Sequence, residues 1–127
     1  MRTWLWNWGP ALAQMAAIFY LSSQHTVPDL PAGLNNYTGH ALGYGLLAAL
    51  VLRALSRATW AGVRMATAVR AVIFSSAYGI TDEFHQSFVS NRTTDVHDWM
   101  ADTAGAAFAS LLILRIAIAR RRRERNQ

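Results

Sequence analysis

The 22 residues from Thr81 to Asp102, TDEFHQSFVSNRTTDVHDWMAD, hold five of the chain's seven acidic residues and two of its four histidines. Asp82, His85 and Gln86 fall at steps of three and four, as do Asp95, Asp98 and Asp102, so each set shares one face if its segment is helical. Such a set can serve three kinds of chemistry. Paired carboxylates with a histidine can do general acid and base work, one carboxyl being kept protonated by its neighbour's charge or by burial. Oxygen donors can bind a hard divalent cation, and a histidine shifts the preference toward a transition metal. No tight His-x-x-x-His pair is present, and the sequence alone assigns no metal. The set can also recognise a polar headgroup, with Arg92 taking phosphate and the acids taking amine or sugar hydroxyl groups.

A plain structural account competes with all three. Acids in the first turn of a helix favour the positive end of its dipole, which is enough to explain Asp95 and Asp98. Asp102 lies one turn deeper, near Gly105, and calls for a partner, Arg92 and His85 being the natural candidates. Upstream, His40 opens the second apolar segment with Tyr44 one turn below it. A lone histidine at a helix start is commonly an interfacial hydrogen-bonding residue. His25 and Asp29 sit in the proline-bearing stretch SSQHTVPDLP and read as loop residues, and His97 as exposed.

Four apolar segments must position these groups. Trp4 to Leu21 carries no charged residue, with Trp4, Trp6 and Trp8 at one end and Tyr20 at the other, an arrangement fitting the two interfaces of a bilayer. It is long, rich in tryptophan and without a clear small-residue cleavage site, which argues for an uncleaved helix over a signal peptide. Residues 39–55, 65–80 and 99–119 are the other candidates. The third is the weakest, because its clean apolar part runs only from Ala71 to Ile80 and Arg70 must reach toward water. Residues 120–127 read as a basic tail. The expectation is one all-α domain over residues 1–127, an integral membrane bundle of four transmembrane helices. Mean hydropathy is only +0.14, because short polar connections dilute the average.

Charge gives the orientation. All twelve basic residues are arginine, and the net charge is +5. Arg53, Arg57, Arg64 and Arg70 surround the second connection, Arg120 to Arg123 and Arg125 follow the fourth segment, and Arg2 precedes the first. The positive-inside bias then puts both termini in the cytoplasm. The first and third connections face outward, with all four histidines, six of the seven acids and only Arg92 among the arginines. Arginines that flank apolar runs are topology anchors that also meet anionic lipid headgroups, and they do not form a nucleic-acid surface. Gly39, Gly43 and Gly45, and Ala101, Gly105, Ala106, Ala107 and Ala109, are small residues at spacings that let helices approach closely. With no cysteine, the redox compartment cannot be read.

Three pieces of the chain together resemble the VanZ-like family of small bacterial membrane proteins. They are a Ser-Ser-Gln turn (Ser22, Ser23, Gln24), a His-x-x-x-Tyr helix start (His40, Tyr44), and an acidic block of Asp82, Glu83 and Gln86, then Arg92, Asp98, Asp102 and Gly105. The order and spacing hold from Ser22 to Gly105. Three positions depart from the family's pattern: Asn36 and Tyr37 stand where Asp-Lys is often found, and Asp102 stands where Asn is common. His85 fills a variable slot. The resemblance implies a multi-helix integral membrane protein of a bacterial cytoplasmic membrane, from a family named for a member associated with teicoplanin resistance.

On this reading a polar pocket at the outer leaflet is lined by His40, Asp82, Glu83, Gln86, Arg92, Asp98 and Asp102, with Tyr44 below. Its expected ligand is an envelope lipid or lipid-linked precursor. Arg92 would hold phosphate, Glu83 or Asp82 would move a proton with His40 beside them, and Asp98 with Asp102 would orient Arg92 or His40. The alternative is a non-catalytic pocket for a headgroup, ligand or partner helix, or a structural cap. Nothing in the sequence names a cofactor, a reaction or an oligomeric state.

Overall fold

Each apolar segment forms an α-helix, and there is no strand among the residues described by this computed structural model, 2–25 and 35–127. The helices are α1 (Arg2–Ser22), α2 (Asn36–Leu55), α3 (Met65–Gln86) and α4 (Val96–Arg125). Asp29 lies outside the described residues. Local capping moves the boundaries from those expected. Asn35 starts α2 early because its side-chain oxygen accepts the Thr38 N–H at 2.9 Å, so His40 sits a full turn inside the helix and does not open it. Asp95 caps α4 by accepting the His97 N–H at 2.8 Å. Within the basic tail, α4 continues through Arg120 to Arg125, since arginine is a good helix former and its charge favours the negative end of the helix dipole.

α2 is the central helix and packs against the other three. Its Tyr44, Leu47, Val51 and Leu52 are buried with Ala11 and Ile18 of α1, Ala68 and Ala71 of α3, and Leu114 and Ala117 of α4. α4 turns small residues inward, Ala106, Ser110 and Ala117, and large ones outward, Phe108, Leu111, Leu112 and Ile116. In water that arrangement would be costly. In lipid, whose tails are as apolar as leucine, helices associate through close packing of small residues instead. By length and composition α2 and α4 are long and apolar enough to cross a membrane. α1 and α3 have 21 and 22 residues, but Asn7 and Gln14 in one and Arg70, Asp82 and Glu83 in the other make them less apolar.

The tightest approach is between α2 and α4. A Cβ on Gly45 would lie 3.2 Å from the Gly105 carbonyl oxygen, and one on Gly105 would collide with the Ala41 backbone. Gly43, on the same glycine stripe in sequence, has nothing within 4 Å and takes no part in this contact.

α1 is tied on through polar groups. Pro10 lies inside the helix and has no N–H, which frees the carbonyl four residues earlier, that of Trp6. Arg53 of α2 donates to that oxygen at 2.8 Å and to the Asn7 carbonyl at 3.2 Å, and its guanidinium lies over the Trp6 ring. Gln14 donates to the Gly43 carbonyl at 3.1 Å, and the Tyr78 hydroxyl to the Met15 carbonyl at 2.8 Å. Arg121 closes the same end of the bundle as Arg53, donating to the carbonyls of Trp60 and Val63. The acids and histidines of the Thr81–Asp102 block gather at the opposite end.

Gly105→Ala should therefore force α2 and α4 apart and destabilise the fold by about 1–3 kcal/mol, the usual cost of overpacking. Gly43→Ala should be tolerated. Thermal unfolding of both variants in detergent checks this, and equal midpoints would contradict it.

Candidate functional site

Three helices bring their polar residues together at the acidic end. α2 contributes His40, α3 contributes Asp82, Glu83 and Gln86, and α4 contributes Asp98 and Asp102. His40 is the hub: its Nδ1 lies 2.8 Å from Asp102 Oδ1 and its Nε2 lies 3.6 Å from Asp98 Oδ2. An ionised Asp102 can only accept, so in that state Nδ1 carries a proton, and in the neutral ring Nε2 is then the acceptor. Asp98 is anchored from its other oxygen, which accepts the Asn36 side-chain N–H at 2.8 Å. Glu83 Oε2 accepts the backbone N–H of Asp95 at 3.0 Å, tying the end of α3 to the cap of α4.

Behind this layer, Gln86 donates to Asp82 Oδ2 at 3.3 Å, and Tyr44 is buried beneath. Gly79 makes room for Asp102: a Cβ there would lie 3.0 Å from Asp102 Oδ2 and 3.3 Å from Trp99 Cδ1. Trp99 is fixed in turn by donating to the Ser76 carbonyl at 3.1 Å. Asp82 Oδ1, Glu83 Oε1, Asp102 Oδ2 and the Tyr44 hydroxyl are buried with no hydrogen-bond partner among the described residues.

Two acids beyond the apolar spans have their pKa values moved in opposite directions. Burial pushes the Glu83 carboxyl up, against the pull of the Asp95 N–H, and nearby Asp98 adds to the push. Asp95 is held below the usual carboxylate range, first by the His97 backbone N–H and then by the His97 ring.

Of the residues expected from the sequence, His40, Glu83, Asp98 and Asp102 meet directly, with Asp82, Gln86 and Tyr44 packed behind them. The partner expected for Asp102 needs correcting. His40 fills that place, while Arg92 extends toward the Leu21 carbonyl at 3.5 Å and His85 turns to α1. His85 contacts Ser23 Oγ at 3.0 Å and stacks on Phe19: it lies three residues from Asp82, at the edge of that face next to α1. His97 is exposed, as expected, and His25 contacts the Ser90 carbonyl. Sequence reasoning did not single out Asn36 as the anchor of Asp98, Gly79 as the gap that admits Asp102, or the Asp95 amide as the donor to Glu83. Only Asn36 left a signal, four residues before His40 and so on the same helix face.

An all-helical chain with two membrane-length apolar helices and a carboxylate–histidine cluster at one end is, in class, a small helical membrane protein. The family model described as VanZ/LLP1 matches residues 14–118, and the chain belongs to that family. No curated protein and no solved structure matches it.

If His40 and Asp102 act as a pair, single substitutions to alanine should not add. A double-mutant cycle read by thermal unfolding should give a coupling of about 0.5–3 kcal/mol, whereas additive effects would leave the two side chains energetically independent.

Proposed function

We propose that this chain is a four-span protein of a bacterial cytoplasmic membrane, with both termini inside, whose outward-facing cluster acts on an envelope lipid or lipid-linked precursor. One observation carries the reading. Four carboxylates and a histidine from three helices converge at the end of the bundle opposite the arginine-rich one, with buried carboxylate oxygens that lack donors among the described residues. Ionisable groups at a membrane boundary are costly unless they meet a partner, so a set of this size calls for one. In this mechanism Glu83 moves a proton, helped by a carboxyl that burial keeps easier to protonate. Asp102 and Asp98 hold the His40 ring between them. Arg92, which makes no ion pair with these acids, is left to take a phosphate.

A second reading has its own support. The links Asn36–Asp98, His40–Asp102 and Asp95–Glu83 join three helices, as a structural cap would. Glu83→Gln separates the two. On the catalytic reading it abolishes a protein-dependent change in envelope lipids or precursors, followed by mass spectrometry at matched membrane abundance, and the fold survives. Unchanged profiles would remove Glu83 from any chemistry and favour the cap or a binding pocket.

The topology has a direct check, since the chain has no native cysteine to interfere. A single cysteine at Ser90 should react with a membrane-impermeant maleimide in intact cells, and one at Ala61 should react only after lysis. The reverse pattern would invert the orientation.

A further inference from the structure

Fully ionised, the cluster would carry an excess of negative charge that its own residues do not balance. Asp82, Glu83, Asp98 and Asp102 face one histidine, and among the described residues no arginine forms an ion pair with any of them. The chain contains no lysine that could be recruited. Asp82 and Asp102 are each at least nine-tenths buried, and each holds an oxygen with no donor among the described residues. Carboxyl groups so placed need either a proton or a counter-charge.

The geometry says where that charge belongs. One donor atom each from His40, Glu83 and Asp98 lies within 4.8 Å of the others. His40 Nε2 and Asp98 Oδ2, 3.6 Å apart, are both acceptors when Nδ1 holds the proton, and they are too far apart for a good hydrogen bond. Two ligands on one tetrahedral zinc, at bond lengths near 2.0–2.1 Å, stand about 3.4 Å from each other. Asp102 on the far nitrogen supplies the outer partner that metal-bound histidines usually have, fixing the ring and its tautomer. Asn36 on Asp98 and the Asp95 N–H on Glu83 do the same for the two carboxylates, leaving Asp98 Oδ2 and Glu83 Oε1 to bind.

From this we propose that His40, Glu83 and Asp98 form a binding site for a divalent transition-metal ion such as zinc or manganese. Imidazole with two carboxylates favours such an ion over magnesium, which takes oxygen ligands and keeps its waters. Three protein donors leave a coordination position open, as in catalytic zinc sites, where a phosphate oxygen or water can bind. The sequence hides the site because its three donors come from three helices and make no short motif. The proposal rests on reading the cluster as a working site, but metal binding is independent of which lipid the protein handles.

The test is metal binding by the full chain in detergent, with zinc chloride or manganese chloride as the probe and no lipid substrate. After equilibrium dialysis and removal of free metal, elemental analysis should find about one ion per folded chain, retained in excess magnesium. His40→Gln, Glu83→Gln and Asp98→Asn should each lower affinity at least tenfold, and Asp102→Asn by about 10–100-fold. His85→Gln should bind like the wild type. Circular dichroism and size exclusion identify the variants that remain folded. The wild-type measurement stands even if a variant does not fold: wild-type protein that retains no metal overturns the proposal. So does equal retention by the folded site variants. Metal bound at this site with unchanged lipid profiles would support the ion and sink the lipid chemistry. A lipid change in a protein that binds no metal would do the reverse.

Discussion

The acidic end depends on the close contact of α2 and α4. Gly105 leaves no space for a side chain against the Ala41 backbone, and Gly45 lies against the Gly105 carbonyl from the other side. His40 immediately precedes Ala41, and Asp102 lies one turn before Gly105. The contact that brings the two backbones together therefore also sets the reach between this imidazole and this carboxylate, 2.8 Å. A glycine pair that looks like packing alone is also the ruler for the polar cluster.

Once that distance is set, the surrounding residues serve mainly to orient. Gly79 of α3 gives Asp102 its room, Trp99 closes over it, and Asn36 and the Asp95 amide each hold one oxygen of a neighbouring carboxylate. Each acid is thus fixed through one oxygen while the other stays available, except that Asp82 is held more loosely by Gln86 alone. Charge is concentrated and not cancelled inside the bundle, whereas the arginines at the opposite end bond to backbone carbonyls. The two ends solve different problems with the same fold.

Much of this was legible in the sequence. Uncharged runs bounded by polar segments gave four helices, and the Asp-Glu-x-x-Gln block with His40 gave most of the residues that converge. Asp95 and Asp98 read as first-turn acids; Asp98 is one, whereas Asp95 caps the helix from the position before it. The limits were also physical. Periodicity places residues on one helix but not across two, so Arg92, His85 and His40 all stood as partners for Asp102, and only the folded bundle selects His40. Helix ends depend on caps such as Asn35, and a run of arginines does not reveal whether it stays helical. Gly79 gave no hint, because its role is the absence of a side chain at a crossing that only the folded bundle defines.

The proline in α1 has a consequence for assembly. By freeing the Trp6 carbonyl, Pro10 builds into the first helix an acceptor suited to a cation, and Arg53 of the second helix occupies it. A guanidinium carried toward lipid on α2 by itself would have to drag water or headgroups along. With α1 already in place, it finds a ready acceptor and an aromatic face in protein. Residues 10 and 53 are thereby linked: a chain without the proline would close its own helical hydrogen bond at Trp6 and leave Arg53 to find another partner for its guanidinium.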